Sequence, residues 1–178
     1  MKKKVLDKIS GEEALIILRK LAKEDAKLKK QIEWQAEQLL MQVDIEEICE
    51  AVYSDLDILY VEDLWDRSGA HRDYYISPEE MAVEMMESEL RPHHEEVYKY
   101  LELNMPKEAK LYCMGALKGI YKYEQESKSE FKDWAVDIAQ ECFGFLLDKW
   151  KEKSKSKDDL IEMELFIQKE CTKWAKYG

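Results

Sequence analysis

Residues 44–75 read DIEEICEAVYSDLDILYVEDLWDRSGAHRDYY and join an acidic helical pattern to a polar loop. Apolar residues recur every three to four positions from Ile45 to Tyr53, which is the spacing of one face of an α-helix. The stretch carries nine acidic residues before Arg67 and then changes, at Gly69, into a segment rich in basic and aromatic residues. We expect any functional site of this chain to lie here.

The helical spacing continues on both sides of this stretch. Six Gly and three Pro in 178 residues are too few for a fold rich in β-strands, which needs frequent turns. Helix starts are indicated by two capping boxes, Ser10 with Glu13 and Ser77 with Glu80, and by the N-caps Asp25 and Asp44. We therefore predict an all-α fold of eight to nine helices, with antiparallel hairpins forming an α-solenoid-like stack or an irregular helical bundle.

Composition divides the chain into three parts. We expect a helical domain over residues 1–150, an exposed linker over 151–157 with the sequence KEKSKSK, and a C-terminal helix over 158–178 packed on the domain. Within the domain we predict a short helix from Val61 to Arg67, a long helix restarting at Phe131, and either a kink or a division at Pro92.

A further helix, from about residue 107 to 125, is predicted to be central. It carries Gly115 and Gly119, and glycines four apart on a helix let another backbone approach closely.

Two segments carry a resemblance to other helical proteins. Residues 11–40, GEEALIILRKLAKEDAKLKKQIEWQAEQLL, resemble the opening hairpin of HEAT-like helical repeats, with an apolar stripe on each helix and an acidic cap between them. Residues 61–69, VEDLWDRSG, are similar to stretches of uncharacterised prokaryotic helical proteins. The first resemblance implies a helical-repeat fold, and the second implies no particular activity.

Negative charge is concentrated in the middle third of the chain. Residues 44–104 carry four Lys or Arg against eighteen Asp or Glu, a net charge of −14 in a chain whose total is −11. A field of this sign repels phosphate backbones, so nucleic-acid binding is disfavoured as the main role. It favours a basic protein partner, or self-association of the chain.

The chain is predicted to lie in the cytoplasm. No run approaches the roughly 18 to 20 apolar residues that a membrane-spanning helix needs, so we expect no membrane partner. The four cysteines are widely spaced and fall on apolar stripes, which is typical of small buried hydrophobic residues rather than of a disulfide framework or a zinc site.

Motifs for catalysis or metal binding are missing from the sequence. The acids of residues 44–66 do not have the spacing of an EF-hand loop, and there is no P-loop, Rossmann fingerprint or G-x-S-x-G. His93 and His94, followed by two Glu, do not form the Glu-x-x-His pattern of di-iron bundles, so we expect a solvated helix surface there. We predict no cofactor, metal ligand or catalytic residue.

The predicted binding surface combines the loop with the acidic side of the preceding helix. Trp, Tyr and Arg are enriched at interface hot spots, and the loop holds all three types. In a structural alternative, Asp66 and Arg67 pair locally, while Trp65 and Tyr75 are core anchors. The predicted residues are Trp65, Asp66, Arg67, His71, Arg72, Tyr74 and Tyr75 of the loop and Glu46, Glu47, Glu50 and Asp57 of the helix.

These observations favour a noncatalytic protein-interaction or scaffold module over an enzyme. The alternative is a helical enzyme that binds a small ligand or metal in a pocket near residues 65–75, formed by His71, Arg72, Tyr74, His94 and the acids of residues 44–66. An enclosed pocket in which these groups converge would favour the alternative, whereas a broad acidic surface would favour the module.

Overall fold

The computed structural model describes residues 5–70 and 72–177, without the side chains of residues 6 and 177. These residues contain eight α-helices, three short 3-10 helices and one pair of two-residue strands, so the predicted all-α fold is confirmed. The helices are α1 Gly11–Glu24, α2 Ala26–Leu40, α3 Ile45–Asp57, α4 Val61–Arg67, α5 Pro78–Glu102, α6 Pro106–Glu126, α7 Ile138–Lys153 and α8 Lys157–Glu170. The strands are β1 Gly69–Ala70 and β2 Tyr75–Ile76, and the 3-10 helices are Val5–Asp7, Glu130–Asp133 and Thr172–Tyr177.

The predicted helix starts are confirmed. Complete capping boxes begin α1 at Ser10 and α5 at Ser77, and the carboxylates of Asp25 and Asp44 accept backbone amides at the starts of α2 and α3. Helix α5 runs through Pro92 without a break, so this proline does not divide it.

The chain forms two compact units, residues 1–42 and 43–178. In the first unit α1 and α2 fold back on each other around Asp25, and neither helix has a buried residue. We call this pair of helices the N-terminal hairpin.

Helix α6 lies at the centre of the second unit, as predicted, with α3, α5, α7 and α8 packed on it. In a stacked repeat each unit contacts only its neighbours, so this arrangement is an irregular bundle rather than a solenoid. A β-carbon on Gly115 would lie 2.7 Å from Cβ of Ile48, and one on Gly119 would lie 2.7 Å from the carbonyl oxygen of Cys49. The two glycines therefore allow α3 to pack closely against α6.

The prediction of a long helix from Phe131 is wrong. Residues 130–133 form a 3-10 turn, and α7 begins only at Ile138, after Asp137 with a φ of 64°. The hydroxyl of Ser129 accepts the amide of Phe131, and the Lys132 ammonium donates to the carbonyl of Glu124 at 2.5 Å. These contacts hold the turn and stop the helix from starting earlier.

The C-terminal helices complete the core. Helix α7 continues to Lys153 and α8 begins at Lys157, so their connection is only residues 154–156. Met163 and Ile167 of α8 are fully buried in the core, and all four cysteines are buried as predicted. In the described part of the chain, no helix combines the length and the apolar character that crossing a bilayer requires.

Candidate interaction surface

The predicted loop is a short β-hairpin held between two helices. Helix α4 ends where the amide of Ser68 donates to the carbonyl of Leu64 at 3.0 Å, and Gly69 then takes a φ of 102°, which a residue with a side chain rarely adopts. Gly69 pairs with Ile76 and Ala70 with Tyr75 in antiparallel register. Because the capping box of α5 follows directly at residue 77, both ends of the hairpin are attached to regular helices.

Trp65 of α4 is anchored on one side and open on the other. Its ring meets that of Trp134 edge to face, with the centroids 4.7 Å apart and the planes at 77°, and Trp134 in turn packs against the core. Trp65 nevertheless keeps 49% of its surface exposed. A fixed aromatic ring with an open side is typical of interface hot spots, because little side-chain entropy remains to be lost on binding.

Three tyrosines within ten positions of Trp65 in the sequence are also exposed to solvent. Tyr60, Tyr74 and Tyr75 are 60%, 60% and 65% exposed. Tyr60 precedes α4, and the other two lie at the end of the β-hairpin. We call Tyr60, Trp65, Tyr74 and Tyr75 the aromatic surface. Tyr75 is exposed and is therefore not the core anchor of the structural alternative.

A second segment lies beside the residues that lead into α4. The hydroxyl of Ser127 donates to the carboxylate of Asp57 at 2.5 Å, and that of Ser129 donates to the carbonyl of Leu59 at 3.3 Å. Through these bonds and the Trp65–Trp134 contact, residues 127–136 extend along residues 57–65. Each of these two segments has an exposed apolar side chain, Ile58 in the first and Val136 in the second.

The charged residues of the loop are placed at its surface. Asp66, Arg67 and Arg72 are exposed, while His71 lies outside the described residues. The first turn of α4 adds two further exposed acids, Glu62 and Asp63.

The acids of α3 do not converge on one point. Glu46 and Glu50 accept hydrogen bonds from Lys118 and Lys122 of α6, both at 2.6 Å. These hydrogen bonds raise the pKa of both lysines, against the opposing effect of burial. The carboxylate of Asp57 accepts a hydrogen bond from Ser127, which follows α6, whereas Glu47 is exposed. Of the four predicted acids, two pair with α6, one accepts a hydrogen bond from Ser127 and one is exposed.

His93 is buried instead of solvated, because it links three helices. It is 7% exposed, with Nε2 2.8 Å from the carboxylate of Asp55 on α3 and Nδ1 3.0 Å from the hydroxyl of Tyr112 on α6. Burial, followed by the charges of nearby acids, raises the pKa of Tyr112 to about 12, so the phenol stays protonated and can donate to Nδ1. Nε2–H then donates to Asp55, and the network satisfies the polar groups it buries.

His94 is half-buried. Its Nε2 is buried and finds no hydrogen-bond partner among the described residues, and its ring lies 5.9 Å from that of Phe145. Burial, with a smaller contribution from His93, lowers the pKa of His94 to about 4. His94 lines a cleft of about 450 Å³ together with Val83, Glu87, Arg91, Ile138, Glu141, Cys142 and Phe145.

Of the other residues proposed for a pocket near the loop, none of those that the structure describes lines the cleft at His94. A larger cleft, of about 930 Å³, lies between the ends of α5, α6 and α7 and mixes cations such as Lys149 with acids such as Glu102. In the described ranges, no three His, Cys, Asp or Glu side chains are grouped so that they could hold a metal ion.

Comparison with known proteins gives no match, since no family model fits the chain and no curated protein or solved structure is significantly similar to it.

Sequence reasoning missed Tyr60, Ile58 and Val136 as members of this region. Tyr60 and Ile58 could have been noticed, because both lie between two predicted helices and off their apolar stripes. Val136 could not, because residues 131–137 were predicted to be helical.

Proposed function

We propose that this chain is a noncatalytic protein-interaction module that binds a basic protein partner through the aromatic surface and the acids around it. The observation that carries the proposal is the exposure of Tyr60, Trp65, Tyr74 and Tyr75 on an anchored helix and hairpin. Rings of this kind contribute most of the binding free energy at many interfaces.

The charges near the aromatic surface favour a basic partner. Glu62, Asp63 and Asp66 are exposed in and after the first turn of α4, and their region has a net charge of −14. Opposite charges on the two proteins raise the association rate and select the partner.

The alternative, a small-ligand or metal-binding helical enzyme with a pocket near residues 65–75, has less support. Arg72 and Tyr74 are exposed, and His94 lies in a cleft that no other described residue of the proposed set lines.

Affinity capture with three full-length baits tests the proposal. The wild-type protein is compared with Trp65→Ala/Tyr74→Ala/Tyr75→Ala and with a control, Ile161→Ala/Leu165→Ala, which removes similarly exposed side chains from α8. We expect a basic protein to be captured by the wild type and the control and to bind the triple variant at least about tenfold more weakly. Binding should also weaken as salt is raised, because exposed charges are screened.

Charge variants separate the contribution of the exposed acids from that of the aromatic side chains. Glu62→Gln/Asp63→Asn removes exposed acids without disturbing the Glu46 and Glu50 pairs on α6. It should slow association and reduce the salt dependence, with a smaller loss of affinity than the aromatic variant. A partner that binds all baits equally and independently of salt would contradict the proposal.

A further inference from the structure

The N-terminal hairpin carries apolar side chains that the hairpin itself does not cover. Both helices are amphipathic, yet neither has a buried residue. Eight large apolar side chains are between 38% and 69% exposed: Leu15, Ile16, Ile17, Leu18, Leu21, Trp34, Leu39 and Met41. Only a seam between the helices is half-buried, formed by Ala14, Ala22, Leu28, Ile32 and Leu40.

This exposure is more than a two-helix hairpin can sustain alone. Helices of 14 and 15 residues are marginal in water, and most helical stability in proteins comes from packing of the apolar face. At on the order of 100 Å² for each half-exposed large side chain, the eight side chains offer several hundred Å² per hairpin. Leu15, Ile16, Ile17 and Leu18 are consecutive and lie on different sides of α1, so two hairpins could bury at most on the order of 1,600 Å² in total, the size of a standard protein interface.

The charge of the hairpin is divided between its two ends. Residues 19–30, at the end with the connecting turn, carry six Lys or Arg against two Asp or Glu. Residues 7–18 and 31–42, at the open end, carry one Lys against five Asp or Glu. The turn end therefore has a net charge of +4 and the open end one of −4, or of −1 when Lys2, Lys3 and Lys4, which precede it in the sequence, are counted.

This separation of charge is complementary to that of a second copy of the hairpin when the two copies lie antiparallel. A two-fold axis perpendicular to the helices places the basic turn end of one copy beside the acidic open end of the other, twice. A parallel arrangement would bring like charges together at both ends. The apolar area and the charge pattern thus fit another copy of this hairpin.

We propose that the N-terminal hairpins of two copies of the chain pair antiparallel, as a four-helix bundle that makes the protein a homodimer. The apolar side chains of α1 and α2 form the bundle core, and the opposite charges of the ends set its orientation. The proposal involves residues other than those of the aromatic surface, so each of the two proposals can fail without the other.

Charge reversal on the full-length protein tests the orientation. The turn-end variant is Lys27→Glu/Lys30→Glu, and the open-end variant is Glu12→Lys/Glu37→Lys. Both leave the Ser10 capping box and the ion pairs Lys20–Glu24 and Lys29–Glu33 in place. A control, Lys155→Glu/Lys157→Glu, makes the same change in net charge as the turn-end variant outside the hairpin.

Sedimentation velocity over a range of concentrations provides the readout. We expect the wild type and the control to dimerise equally, and each hairpin variant alone to do so at least about tenfold more weakly. An equimolar mixture of the two hairpin variants should dimerise more strongly than either variant alone, because one junction of the mixed dimer joins the unchanged basic turn end to the unchanged acidic open end, and neither variant alone has such a junction. This gain cannot arise from misfolded variants.

Three results would overturn the proposal. The first is a wild-type protein that stays monomeric up to hundreds of micromolar, which would mean that another protein or the rest of the chain covers the hairpin. The second is dimerisation that neither hairpin variant weakens. The third is a mixture of the variants that dimerises no more strongly than either variant alone.

Discussion

Gly119 is one of two positions at which α6 closely approaches α3. A β-carbon at this position would be 2.7 Å from both the carbonyl oxygen of Cys49 and Cβ of Val52, distances that require the helices to move apart. We expect Gly119→Ala to lower the free energy of unfolding by about 1–3 kcal/mol, the usual effect of overpacking a core. Chemical denaturation measures this change.

Gly144 provides a matched control for that substitution. It is also a helical glycine, in α7, but a β-carbon there meets nothing within 4 Å. Gly144→Ala should raise the free energy of unfolding by up to about 1 kcal/mol, because alanine has the higher helix propensity. Equal effects of the two substitutions would show that α3 and α6 are not in close contact at Gly119.

His94 should make the protein sensitive to mild acid. Its pKa is lowered from the ordinary 6.5 to about 4, so between these values the unfolded chain binds a proton that the folded protein does not. The stability that the neutral ring provides is therefore complete above about pH 6.5 and is lost as the pH falls towards 4.

The size of this effect can be isolated with a side chain that does not titrate. Between pH 7 and 4, the wild type should lose on the order of 2–3 kcal/mol more free energy of unfolding than His94→Gln. Denaturant titrations of both proteins across this range measure the difference. Parallel losses in the two proteins would mean that other groups, such as Glu87 and Glu141 in the same cleft, account for the pH dependence.

Individual residues could be predicted from the sequence where their role is local or generic. The close approach at Gly115 and Gly119 and the burial of the cysteines follow from residue type and helical spacing. The contact of His93 with Asp55 and Tyr112 does not, because these partners lie 38 and 19 positions away and meet only when three helices pack.

The ends of the helices are the elements that the sequence predicts best. A capping box is closed by hydrogen bonds between residues three positions apart, so Ser10 and Ser77 determine the starts of α1 and α5 without help from tertiary contacts. The positive φ at Gly69 follows in the same way, because few other residues can adopt it.

Prediction from helical spacing fails at residues 131–137. Their apolar residues keep the spacing of α7, so periodicity alone extends the helix back to Phe131. The structure instead has a 3-10 turn, and the left-handed Asp137 interrupts the backbone before α7. The interruption leaves Val136 exposed.

Residues 11–40 form the two helices that their apolar stripes predicted, but the rest of the chain is not a stack of repeats. The N-terminal hairpin has the predicted form, with Asp25 as the cap between α1 and α2. In the second unit, α6 contacts four other helices, which a stack of repeats would not allow.

The position of the hydrophobic core in the sequence predicts whether a shortened chain still folds. All described members of the hydrophobic core, including the partly buried ones, lie between Ile45 and Trp174. A chain of residues 43–178 should therefore retain a cooperative thermal transition, measured by circular dichroism and compared with the full-length protein. A gradual loss of signal without a transition would show that residues 1–42 are needed to fold the rest.

The sequence shows where negative charge is concentrated, but it does not show which acids form ion pairs and which remain exposed. The region of residues 44–104 is strongly acidic on any arrangement. Packing decides that Glu46 and Glu50 pair with lysines of α6, while Glu47, Glu62 and Asp63 remain exposed. The acidic face that we propose for a basic partner is therefore smaller than the sequence alone predicted.

By itself, the sequence determined the all-α fold, the capped starts of α1, α2, α3 and α5 and the sign of the charge, because these depend on spacing, on contacts within one helical turn and on composition. The tertiary structure decided which helix packs on which, which acids are paired and which aromatic rings remain exposed. These features depend on contacts between residues far apart in the chain, whose relative positions are set only when the apolar faces of several helices are buried together.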